Sequence, residues 1–102
     1  MAVPSELIDT ILTRTREGKL EWSELSRAGF TAPIGTNSIT IDRVGGGGYV
    51  LRIANENGTV IERTTIEDRG SPTLEEIYET ARRQALRVDE TLYNIKRNLE
   101  EL

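Results

Sequence analysis

The chain has no cysteine and no histidine among its 102 residues. Their absence removes disulfides, thiolate chemistry, zinc sites built from Cys or His, and any nucleophile–histidine dyad or triad. Aromatics are scarce: one Trp, one Phe and three Tyr. Lysine is also rare, with only Lys19 and Lys96 beside eleven arginines. No stretch approaches the ~20 apolar residues of a membrane-spanning helix. The opening Met-Ala-Val-Pro-Ser-Glu has neither a basic start nor an apolar run, so no signal peptide is expected and the expected location is cytoplasmic. The net charge of −4 argues against general DNA or RNA binding, which needs a strongly basic face.

What remains is a composition 36% hydrophobic and 29% charged, which is that of a globular chain rather than a disordered one. Its length suits one domain, residues 1–102. The arginine bias has two readings. It reflects structural ion pairs or coding bias, or it serves a phosphate-bearing ligand, which the planar guanidinium fork grips better than a lysine does.

The most regular pattern lies at the C-terminal end. Leu74, Tyr78, Ala81, Ala85, Val88, Leu92, Ile95, Leu99 and Leu102 follow one another in steps of four and three. That alternation is a heptad repeat, and it predicts one unbroken helix over 73–102 with a seam for a second helix. Tyr78, Ala85, Leu92 and Leu99 take the a positions; Leu74, Ala81, Val88, Ile95 and Leu102 take the d positions. Such a helix is about 45 Å long, whereas a compact domain of this size has a radius of gyration of about 13 Å. The helix should therefore overhang its own domain. Its first half is expected to pack within the chain, and its later half has nothing in the remaining sequence to cover it. Homo-oligomerisation through Ala81, Ala85, Val88, Leu92, Ile95 and Leu99 is the expectation, with an entirely intramolecular core as the alternative.

Upstream, 4–17 reads as a short amphipathic helix, with Leu7, Ile8, Ile11 and Leu12 on one face and Gly18 as a left-handed cap. Leu20 and Trp22 alternate with charged neighbours as in a half-buried strand. Phe30, Ala32 and Ile34 alternate too, but Pro33 assigns them to an edge or outside the ladder. Strands are expected over 38–44, 49–55 and 59–66, with Asn57-Gly58 as a hairpin signal of the type I′ kind. Ahead of the long helix, Thr73 with Glu76 fits a capping box; alternatively Ser71 caps and Pro72 takes the first turn. The expected fold is α+β: a short helix, an antiparallel meander of three or four strands over 20–66, and a long C-terminal helix.

Chemistry is harder to find. Gly45 to Gly48 could cradle an anion or act as a flap, but a strand follows rather than a helix, so it is neither a P-loop nor a Rossmann turn. Arg52 and Arg63 are expected to form a basic strip on the sheet face away from Leu51 and Ile53. Arg82, Arg83 and Arg87 lie on the long helix, where Glu79 can pair with the first two. The acidic pairs Glu67-Asp68 and Asp89-Glu90 are adjacent in sequence, and on a helix such neighbours diverge. Trp22 and Tyr49 either stack on a ring-shaped ligand or belong to the core. No catalytic residues, metal ligands or cofactor are expected.

Trp22, the Ile39/Ile41 strand, Tyr49-x-Leu51-x-Ile53, Asn55-x-x-Gly58-x-x-Ile61 and Leu74-x-x-x-Tyr78-x-x-Ala81-Arg82-Arg83-x-Ala85-Leu86-x-Val88-Asp89 together form an ordered set. Over residues 18–102 this set resembles a group of small prokaryotic proteins of unassigned function. The resemblance implies a prokaryotic or phage origin and a stand-alone small domain; it carries no activity with it.

Two functions fit. The first is a non-catalytic oligomer that binds and sequesters a small anionic nucleotide-type ligand through Arg82, Arg83, Arg52, Tyr49, Gly46 and Gly47. The second is a protein–protein adaptor that pairs through the C-terminal helix. A carboxylate-based metal hydrolase is a distant third.

Overall fold

The computed structural model describes residues 3–26, 28–45, 47–66 and 72–102. Helix α1 (Ser5–Arg16) leads into five strands, β1 (Ser23–Ser26), β2 (Gly29–Ile34), β3 (Asn37–Val44), β4 (Gly48–Ala54) and β5 (Val60–Ile66). Helices α2 (Pro72–Ala85) and α3 (Val88–Glu100) complete the chain. The strands form one antiparallel sheet in the order β1-β2-β3-β4-β5, a pure meander. The fold is α+β, with one strand more than the upper expectation.

Alternation decides which face is covered. Phe30, Ile41 and Leu51 lie opposite one another across β2, β3 and β4, as do Ala32, Ile39 and Ile53. Leu74, Ile77, Tyr78 and Ala81 of α2 close over that face, and Ile11 and Leu12 of α1 join the same core. The ring of Phe30 meets that of Tyr78 edge-on, with centroids 5.4 Å apart. Trp22 is buried beside Thr15, to whose Oγ1 its indole Nε1 donates at 3.3 Å. It is a core residue with its polar handle satisfied.

Local geometry departs from expectation in three places. Leu20 and Trp22 are buried but not in a strand; the strand is Ser23–Ser26, whose four residues are all exposed. Pro33 sits inside β2, the second strand of the sheet rather than an edge. It is tolerated because β1 reaches only as far as Thr31, leaving Pro33 with β3 alone as a neighbour. The Asn57-Gly58 hairpin forms, but only Gly58 has positive φ, at 81°, so the turn is not type I′. Instead the Asn55 side-chain Oδ1 accepts from the amides of Asn57 and Thr59.

The largest departure is in the C-terminal segment. The expected single helix is two, because Arg87 adopts the left-handed conformation with φ 51° and ψ 47°. The heptad spacing runs through this break without a slip. Across it the Arg83 guanidinium pairs with the Asp89 carboxylate. Residues six apart point about 120° from each other on a continuous helix, so this contact belongs to the bent form. Left-handed backbone costs a side-chain-bearing residue about 1–2 kcal/mol, and glycine escapes that penalty. Arg87→Gly is therefore expected to raise the melting temperature by a few degrees, equivalent to about 0.5–1 kcal/mol. Were the helix continuous in solution, the same change would lower stability by about 1 kcal/mol, and thermal melts separate the two signs.

Beyond the bend, among the described residues, α3 contacts no element but α2. The molecule is correspondingly drawn out, 55 Å in its longest dimension with a radius of gyration of 15.1 Å. No helix among the described residues is long and apolar enough to cross a membrane.

Candidate functional site

Three surfaces gather residues singled out in the sequence. On the sheet face away from the core, Thr31, Thr40, Arg52 and Arg63 stand side by side across β2 to β5. Arg52 and Arg63 are thus cross-strand neighbours, while Glu62 points with Ile53 to the other face. Arg52 is engaged: its Nη1 donates to Asp42 Oδ2 on the adjacent strand. Gly29 lies directly beneath that carboxylate, and a Cβ there would collide with it.

The arginines of α2 lie on the opposite side of the sheet. Arg82 Nε donates to Glu79 Oε2 at 3.2 Å, and Arg83 pairs with Asp89. Arg83 also lines an open cleft of about 500 Å³ with Thr15, Arg16, Thr80, Gln84 and Asp89. Arg16, at the end of α1, is clamped to Glu76 of α2 by two hydrogen bonds of 2.5 and 2.6 Å. That clamp pulls the Glu76 carboxyl below its ordinary pKa, chiefly through the Arg16 hydrogen bond, and raises that of Arg16. A depressed carboxylate pKa adds stability above the unfolded value that is lost as pH falls through the folded one. Both side chains are solvent-exposed, so the effect is small. Wild-type protein should lose slightly more stability than Glu76→Gln in acid titrations below the ordinary glutamate range, and chemical denaturation at two pH values measures it.

Tyr49 is half-buried against Tyr78, with ring centroids 5.3 Å apart. Burial is the main reason that its hydroxyl pKa is raised, with Glu75 adding to it. Tyr49 shares the core face of the sheet with α2, whereas Arg52 projects from the other face. The sheet therefore separates Arg52 from Arg82, Arg83 and Tyr49, and these residues do not converge on one ligand. Gly47 carries φ 90° at the β3–β4 turn; Gly46 lies outside the described residues, as do Glu67, Asp68 and Ser71.

The third surface is the heptad seam. Its members divide at the bend. Ala81 is fully buried in the chain's own core and Ala85 packs against that core, so Ala81 is not open to a second chain. Val88 is half-buried. Leu92, Ile95 and Leu99 are 55, 51 and 63% exposed, and α3 has no buried residue at all. They lie within about 60° of each other around the helix, forming one continuous apolar strip. Asp89 and Lys96 flank the strip at e positions of the same heptad register. The sequence reading considered Asp89 only beside Glu90 and did not single out Lys96, although their e positions follow from the same count. Lys96 has no ion pair among the described residues.

Among the described residues no three acidic side chains gather in a metal-binding group. Comparison with protein-family models, with curated proteins and with solved structures yields no match.

Proposed function

We propose that this chain is a non-catalytic interaction module that self-associates through α3. One observation carries the reading: a helix with Leu92, Ile95 and Leu99 in line buries none of them. Isolated helices of 13 residues are marginal in water, and most helical stability in proteins comes from packing an apolar face. Among the described residues α3 is supported within the chain by its contact with α2, where Val88 is half-buried, and by exposed ion pairs such as Arg97–Glu101, each a minor contribution. A covering helix supplies what the chain does not.

The anion-binding reading has less support. Arg52, Arg82 and Arg83 each hold a carboxylate, and the sheet divides them into two groups. A small ligand would have to displace those partners one by one.

Sedimentation across a concentration series tests the proposal. The mass is expected to rise from 11.4 kDa toward a multiple of it, with helicity rising in parallel. A constant 11.4 kDa species with constant helicity at all concentrations would overturn it.

A further inference from the structure

We infer that the partner of α3 is the same helix of a second copy, laid antiparallel, with Leu92 of each chain against Ile95 of the other. This rests on the self-association proposed above and specifies its geometry.

The register follows from the residues themselves. In an antiparallel pair each a position faces a d position of the other helix. Setting Leu92 against Ile95 also sets Leu99 against Val88, each twice by symmetry, all within α3. Every layer is then apolar. Such an isologous contact closes on itself and leaves no seam to propagate.

The flanks agree with the same register. On the e side Asp89 of one chain, whose carboxylate Arg83 of its own chain also holds, comes opposite Lys96 of the other, twice. On the g side Thr91 comes opposite Asn98, a neutral pair able to hydrogen-bond. Lys96, without an ion pair of its own among the described residues, thereby gains one. A parallel, in-register pair sets g against the following e of the other chain. That brings Thr91 to Lys96 and Gln84 to Asp89, with no pair of opposite charge. Antiparallel helices also align their dipoles favourably, each N-terminal end beside a C-terminal end. The apolar strip thus drives association, and the flanking charges choose the direction.

Shape points the same way. Paired helices lie 8–10 Å apart, whereas the two shorter dimensions of the molecule are 31 and 23 Å. Antiparallel pairing sends the two sheet-bearing bodies to opposite ends of the helix pair, and parallel pairing crowds them at one end.

Introduced cysteines test the direction, since the chain has none of its own. In the assigned register two copies of residue 99 are about 16 Å apart along the axis, beyond disulfide reach, while 88 and 99 of opposite chains are neighbours. Under mild oxidation the Val88→Cys/Leu99→Cys protein is expected to form covalent dimers, and Leu99→Cys alone is not. Covalent dimer from Leu99→Cys alone overturns the antiparallel assignment while leaving self-association standing. A monomer at every concentration in sedimentation overturns self-association itself. Lys96→Asp, which faces Asp89 of the other chain, is expected to weaken the dimer several-fold at low salt. An unchanged dissociation constant overturns the register.

Discussion

Ile77→Ala is expected to destabilise the protein by about 3–4 kcal/mol, lowering its melting temperature by about 15 °C or more. Ile77 is fully buried on α2, in the same cluster as Ile41 and Leu51 beneath the helix and Leu74 and Ala81 along it. Truncation removes the transfer energy of the lost carbons and leaves a cavity that packed neighbours fill only in part. The sheet has helices on one face alone, so α2 supplies much of what covers Ile41 and Leu51. A domain of this size has about 5–15 kcal/mol in total. The change therefore consumes a large share of the margin, and urea titration of wild type and variant measures it directly. The bend places this effect on one side only. Leu92, Ile95 and Leu99 of α3 are each more than half exposed, and Leu92→Ala should leave the unfolding of the body unchanged.

That contrast bears on how much of the molecule can be read from its residues. Period-two alternation in 38–44 and 49–55 marked β3 and β4 and the face that each buries. Pro4, the apolar face of 7–12 and Gly18 marked α1, and Gly18 does take φ 72°. The strand at Ser23–Ser26 left no such trace. None of its side chains is buried, so its place in the sheet comes from backbone pairing with β2 rather than from a pattern of apolar residues. The bend at Arg87 was equally hidden. No glycine or proline stands there, and the heptad spacing continues across it. The arginine cluster shows a different kind of miss. Arg52 was correctly set on the face opposite Leu51, and α2 must bury its apolar strip against the Leu51 face. Together those two statements already part Arg52 from Arg82 and Arg83, and only the assembled fold makes the separation evident. The overhang was expected of one helix of about 45 Å, but the chain bends at Arg87 and it is the 13-residue α3 alone that stands clear of the body.

The second large effect concerns that overhang. Leu92→Asp combined with Ile95→Asp is expected to hold the protein as an 11.4 kDa monomer at concentrations where wild type is associated. In the assigned register each substitution places a carboxylate against the other at the centre of the interface, twice by symmetry. Four like charges then replace two apolar layers. Charges withdrawn from water without a counter-ion cost several kcal/mol, enough to shift a dissociation constant by orders of magnitude. The body should be indifferent, since neither side chain touches the core and both are more than half exposed in the single chain. Two measurements carry the contrast. Sedimentation reports the change of mass, and thermal melting reports the body. Wild type, stabilised by mass action, should melt at a temperature that rises with concentration, whereas the double variant should melt at one temperature throughout. At high dilution the two curves should meet. A variant that still associates would show that the contact lies elsewhere on the surface. A variant that fails to fold even when dilute would show that α3 is part of the core after all.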